Sequence, residues 1–587
     1  MNAAITKVQS AIVIAIIVIA ALGGYSYYQI GAPTTAPITT TSEVLTSTIV
    51  STGVPNPENY VFLTDLGQMG DVDPVDCDGN NCRTVFINMI ETLIWYPNES
   101  SPVPQSLLAD SWRVSADSMT YTFHLREGVK FTDGNPVRPI DVQYSFGRFL
   151  AYNNPRGVAA LIEPWMTGHN PGEYIPWNDI SRAITTDEAA NTVTFHLKMP
   201  YAAFLSSMTF PVFGIYSSQF AISHGSWKPG ENVTGQSDAL MQDGKNLVGS
   251  GPFTLTENVP GQKYVLTRND AYWRGPAKIK TLTVLFVPEW STRLLMLQHG
   301  DADSAILSGD VASQVSIDPN LRLFVAPNSG FTEAIFFNFN IPLNKQPAGT
   351  QGITSDWFHD IHLRRAFAYA FPYQDYAKQA YLGYAKPAGP AGWLPLGQFG
   401  SVPNGYPYTY DPAKATEEFK LAWGGKVWEN GFTMTYGYQE FQKGPALIAG
   451  QLYAESLQKI NPKFHLIPQL GDWPPFFDWP IQMAVNQNGP DPSWLSSAFE
   501  SSGLFPSYTN YKNQTLDDLL RKGASTGDAA LREQYYKEAN GLLAADIPAV
   551  FTVYWPALIA LGTWVHGYAY APAWTIDAGY GWYISKY

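Results

Sequence analysis

Charge is scarce in this sequence. Only 15% of its 587 residues are Asp, Glu, Lys or Arg, against about 25% in an average soluble domain. The 36 cations are outnumbered by 50 acids, which leaves a net charge of −14. A chain so poor in Lys and Arg cannot neutralise a run of phosphates, so nucleic acid is excluded as a partner. Cysteine is nearly absent as well: Cys77 and Cys82 are the two. A bacterial lipoprotein signal needs a Cys just after its apolar run, and none stands there. Catalytic signatures are missing too. The chain has no G-x-x-x-x-G-K-[ST] and no H-E-x-x-H, which argues against a P-loop NTPase and a zinc protease.

What is present is apolar and aromatic. Hydrophobic residues make up 45% of the chain, with 18 Trp, 34 Tyr and 31 Phe. That composition excludes disorder. The 49 glycines and 44 prolines favour a loop-rich fold over a helical bundle. The length corresponds to roughly four domain-sized units.

The N-terminus points to a compartment. No charged residue occurs from Val8 to Ser42, and Ala11–Leu22 reads AIVIAIIVIAAL. Val8 to Tyr28 covers about 20 residues, enough to cross a bilayer of about 30 Å. Tyr25, Tyr27 and Tyr28 stand where an interfacial aromatic belt would lie. The run is read as a membrane anchor that leaves the bulk outside, either uncleaved or retained after a pilin-like cut; a cleaved secretory signal is the alternative. The Ser/Thr/Pro-rich stretch that follows cannot offset its ordering entropy and is read as an extended tether. Three N-glycosylation sequons, at Asn98, Asn232 and Asn513, fit an outside location. Cys77 and Cys82 then read as a short-loop disulfide. The neighbouring Asp71, Asp73, Asp76 and Asp78 also admit a calcium loop, although the EF-hand spacing is not met.

The body of the chain mixes strands and helices. Tyr121–Arg126 (YTFHLR) and Val193–Lys198 (VTFHLK) are near copies, and both alternate as half-buried strands do. Their His124 and His196 are read as ordinary sheet residues rather than a metal pair. His359 and His362 form an H-x-x-H without a third ligand.

Leu107–Phe149, LLADSWRVSADSMTYTFHLREGVKFTDGNPVRPIDVQYSFGRF, resembles the family 5 extracellular solute-binding proteins, the dipeptide, oligopeptide and nickel type that serve ABC importers. The likeness continues in order through Val193–Phe204, Val248–Leu255, Arg268–Trp273, Ser291–Asp303, Phe336–Asn340, Ile361–Ala370 and Tyr410–Ala415. It implies an α/β clamshell of the type II, three-domain kind. The expected plan is an anchor at 1–30, a tether at 31–57, a first lobe from 58–102, 206–339 and 549–587, a small extra domain at 103–205, and a second lobe at 340–548. It also implies a binding protein rather than an enzyme, with no cofactor, working as a monomer with a membrane permease as its partner.

Peptide binders of that family place an Asp just ahead of a "DP" in the second lobe. Here Asp491-Pro492 is preceded by Asn486, Gln487 and Asn488. Amides both donate and accept, which suits sugar hydroxyls, and Trp faces suit a pyranose. The expected ligand-binding set is therefore Asn486, Gln487, Asn488, Trp393, Trp494 and Trp555, with an oligosaccharide as ligand. Oligopeptides are the first alternative, ahead of nickel complexes. A surface-tethered glycan hydrolase and an adhesion role are the remaining alternatives.

Overall fold

The computed structural model describes residues 54–65, 72–77, 80–97, 103–154, 162–170, 172–326, 331–389, 392–395, 398–403, 405–472, 475–487, 491–570 and 579–587. The expected anchor and most of the tether lie outside these residues. Among the described residues, no helix is long and apolar enough to cross a membrane.

Three sheets organise the molecule. The first has seven strands in the order Leu321–Val325, Leu558–Gly562, Ser304–Ile306, Asn59–Thr64, Thr281–Phe286, Lys263–Arg268 and Phe253–Val259. The second has six: Lys386–Pro387, Ala549–Trp555, Phe331–Phe337, Ile481–Gln487, Phe432–Tyr438 and Phe464–Leu470. A four-stranded antiparallel sheet, Ala109–Val114, Thr120–Leu125, Thr192–His196 and Ile184–Asp187, is built around the two YTFHL-like strands. In Thr120–Leu125 burial alternates residue by residue, with Tyr121, Phe123 and Leu125 facing in. That is the half-buried strand its spacing predicts.

The chain crosses between the first and second sheets between Ala326 and Phe331, and again between Trp555 and Leu558. The two crossings are tied, because the Ala326 N–H donates to the Ala557 carbonyl at 2.9 Å. This corrects the expected lobe borders at 340 and 548. Phe331–Phe337 and Ala549–Trp555 pair with each other, and Phe331–Phe337 also pairs with Ile481–Gln487. Their ladders therefore bind them to the second sheet, not the first.

The second core is closed by helices whose starts are legible. Asp528 caps Ala529–Asp546 by accepting from the Ala530 and Leu531 N–H groups, and Asp360 caps Ile361–Ala370 in the same way. Each large core also holds one buried glutamate ringed by donors. Glu91 accepts from Tyr272, Ser250 and Trp273 at 2.7–2.8 Å. Glu333 accepts from Tyr376, Tyr381 and Thr552 at 2.6–2.8 Å. Burial pushes both carboxyls up, and these hydrogen bonds oppose it.

Cys77 and Cys82 are joined in a disulfide, both side chains buried, at the entry to the helix Asn80–Met89. The calcium reading does not hold for Asp73, because its carboxylate is taken by Arg148. Asp76 accepts from Asn154, and Asp71 and Asp78 lie outside the described residues. The histidines have partners of their own as well. His124 bonds Asp110, His196 bonds Thr185, His359 bonds the Phe339 carbonyl and His362 bonds Glu418. Among the described residues no group of side chains could hold a metal.

Glu163, in the short helix Glu163–Thr167, is an anomaly. It is 0% exposed and neither carboxylate oxygen has a hydrogen-bond partner. Burial alone drives its carboxyl well above the ordinary range. A folded value raised above the unfolded one gives stability that is complete below the ordinary value and is lost as pH rises through the folded value. Glu163→Gln removes that loss. The variant is expected to match the parent near pH 4 and to exceed it by about 1–3 kcal/mol at pH 7. Thermal unfolding across that range checks this; a difference independent of pH would contradict it.

Candidate functional site

The second sheet ends in a rung at the crossings. Phe331 lies opposite Gln487 on one side and Trp555 on the other, and Thr332 lies opposite Asn486 and Tyr554. The backbone of Asn486 and Gln487 thus reaches the seam where the chain passes to the first sheet. Asn488 lies outside the described residues. Trp555 is half-buried there, packed edge-to-face on Phe331 with centroids 5.8 Å apart, and it touches both large cores.

A second point of contact lies at Trp494. Its ring meets Phe210 at 5.3 Å, and the Arg83 guanidinium sits 4.6 Å from the centroid of the same Phe210 ring. Arg83 directly follows Cys82 in the helix Asn80–Met89, so the disulfide pins the start of the helix that presents it. A third contact is main-chain: the Ala202 N–H donates to the Ala524 carbonyl at 2.9 Å. The seam therefore joins residues 202 and 210 on one side to 524 and 494 on the other, with Arg83 against Phe210.

Asp491 shapes the second side. It accepts from the Ser493 N–H at 2.9 Å, which starts the turn that carries Trp494. Its other partner is Arg532, at 2.5 Å. Arg532 is itself fixed: it donates to the Gly523 carbonyl and lies between the rings of Phe399 and Tyr536. Tyr96 and Tyr201, from the opposite side, have hydroxyls pushed up by burial, with the negative charge of Asp491 adding to the effect. The "DP" acid is thus committed to Arg532, not held out as an amine anchor. Sequence reasoning had no signal for Arg532, which lies 41 positions away, nor for Phe210 or Arg83.

Trp393 must be corrected. It is 0% exposed and packs on Phe336, Phe499 and Phe551 inside the second core. The Tyr554 hydroxyl lies within hydrogen-bond reach of the carbonyls of Ala388, Gly392 and Leu394. It clamps the Pro/Gly-rich loop onto the strand and drives the indole inward. No face of Trp393 is left for a sugar. Trp273 is also engaged, through its Nε1–H to Glu91.

Comparison with known proteins agrees with this architecture. Residues 103–506 match the profile of the bacterial extracellular solute-binding proteins, family 5. A probable D,D-dipeptide-binding periplasmic protein of Escherichia coli is 25% identical over 539 residues, covering 88% of this chain and 92% of its own. Heme-binding protein A of Haemophilus influenzae is 25% identical over 555 residues, with 89% and 91% covered. A dipeptide-binding protein from Pseudoalteromonas, solved with Met-Leu, superposes with a TM-score of 0.70 at 20% identity, covering 90% of this chain and 100% of that one. NikA from Staphylococcus aureus, solved with Ni(L-His)2, superposes with a TM-score of 0.67 at 16% identity, with the same coverage. None of these relatives is named for a saccharide, so the oligosaccharide expectation has no support from them and loses Trp393 as well. With the profile spanning well over half of its length, the chain belongs to the family 5 extracellular solute-binding proteins.

Proposed function

We propose that this protein is the extracytoplasmic receptor of an ABC importer, and that it captures a peptide-class solute at the seam between its two large sheets. One observation carries the reading. Two hydrogen-bonded crossings join the halves, Phe331 and Trp555 beside them pack against the first core, and Phe210 meets Trp494 across the seam. A ligand held between such halves favours the closed arrangement because it touches both. Reversible capture needs no nucleophile. Membrane attachment through the N-terminus would raise the receptor's concentration near its permease.

Thermal shift with dipeptides, longer peptides, nickel–histidine and malto-oligosaccharides tests this. A ligand at a hundredfold excess over Kd stabilises by about 2.7 kcal/mol. A shift with peptides is expected; a shift with saccharides alone would reject the reading. Trp494→Ala should weaken the affinity for the stabilising peptide about tenfold or more, as loss of a buried aromatic anchor does. Unchanged affinity, read by calorimetry, would move the site elsewhere.

A further inference from the structure

Two of the three Asn-x-Ser/Thr sequons lie among the described residues, and their settings are opposite. Asn513 is built into the fold. Its Oδ1 accepts from the Leu516 N–H as the cap of the helix Gln514–Ser525, and its Nδ2 donates to Asp546 at 3.2 Å. Asp546 in turn holds the Tyr511 hydroxyl at 2.6 Å and Arg364 at 3.2 Å. A saccharide on Asn513 Nδ2 would have to enter this partly buried network.

Asn232 is exposed. Its Oδ1 accepts from the Thr234 N–H at 3.2 Å, which folds Asn-Val-Thr into a side-chain-closed turn. The three residues after it anchor that turn. Val233 packs against the first core, the Thr234 hydroxyl donates to the Ala151 carbonyl at 3.3 Å, and the Gly235 N–H donates to Tyr152 at 2.8 Å. The turn is thus held from below while its asparagine faces outward. No hydrogen bond to a described residue holds the Asn232 Nδ2. It lies on the 228–247 loop, between the helix Ser218–Ser223 and the strand Phe253–Val259.

We propose that Asn232 carries an N-linked glycan and that Asn513 does not. In the transfer, Asn232 Nδ2 forms a bond to the anomeric carbon of a saccharide carried on a polyprenyl phosphate or pyrophosphate. The anomeric carbon–oxygen bond to that phosphate breaks, the lipid phosphate leaves with the electron pair, and Nδ2 gives its proton to a base of the transferase. The inference depends on the extracytoplasmic location and not on the identity of the solute.

The test is glycopeptide mass spectrometry of the full protein isolated from its own cells, beside Asn232→Gln and Asn513→Gln. A saccharide mass is expected on the peptide that holds Asn232, lost in Asn232→Gln and kept in Asn513→Gln. The peptide that holds Asn98 is mapped separately, so a glycan there is not counted. A bare Asn232 peptide, or a saccharide on Asn513, overturns the proposal.

Discussion

Replacing Arg148 with Met will cost the fold about 3–5 kcal/mol at neutral pH, the range seen when one partner of a buried ion pair is removed. Arg148 is fully buried and its guanidinium meets two carboxylates. It donates to Asp73 with two nitrogens and to Asp238 at 3.0 Å, and its plane lies 4.7 Å from the Tyr152 ring. Methionine fills similar space but leaves two buried acids facing each other with no cation. The effect will depend on pH. Burial pushes the Asp238 carboxyl up, but the Ser226 hydroxyl and Arg148 outweigh it and hold it below its usual 3.8. A depressed carboxyl gives stability that is present above the usual value and lost as pH falls through the folded one. The gap between parent and variant should therefore shrink below about pH 4. Urea midpoints across pH 3–7 measure it. The exposed pair Lys443–Glu440, 54% and 67% exposed, is the control, and Lys443→Met should leave the urea midpoint essentially where it is. Equal effects at both sites would defeat the argument.

Lys586→Met will be of similar size, about 3–5 kcal/mol. The Lys586 ammonium is 1% exposed and sits 2.7 Å from Asp303. It also donates to the Asn56 and Asn59 carbonyls at 2.9 and 2.7 Å. Asp303 accepts from the Val61 N–H and the Trp564 indole. One ammonium thus binds the C-terminal strand Ser585–Lys586, the entry to Asn59–Thr64 and the centre of the first sheet. Asp303→Asn in the same background should restore part of the loss, because the orphaned charge is then gone. A double variant no better than the single one would mean that packing, not charge, sets the effect.

Some of this was legible in the sequence and some was not. The strands around Phe123 and Phe195 follow from alternation, a local property. The helix starts at Asp360 and Asp528 follow from capping chemistry. The two-lobed plan came through the ordered string of resemblances. The borders at 340 and 548 failed because a strand's sheet is decided by its partner, and Phe331–Phe337 finds Ala549–Trp555 more than 200 positions away. Trp393 failed for the same reason: the Tyr554 hydroxyl that buries it is 162 positions from Gly392. Asn486 and Gln487 were read from the "DP" string and Trp494 from its aromatic face; the backbone of the first two lies opposite Thr332 and Phe331, and the Trp494 ring lies on Phe210. The commitment of Asp491 to Arg532 was invisible, since nothing in a sequence says which cation an acid will find.

The paired crossings carry a consequence for biosynthesis. Leu558–Gly562 lies between Leu321–Val325 and Ser304–Ile306 and bonds to both. The first sheet therefore keeps an unfilled slot through the emergence of more than 200 intervening residues. The second sheet can complete its ladders at Trp555, before that slot is filled. The half that starts the chain is the half that finishes last, so a molecule folding as it is synthesised exposes an open strand edge until Leu558–Gly562 arrives. Translocation as an unfolded chain suits such an order, because the C-terminus then reaches the folding compartment before the open edge can recruit a stranger.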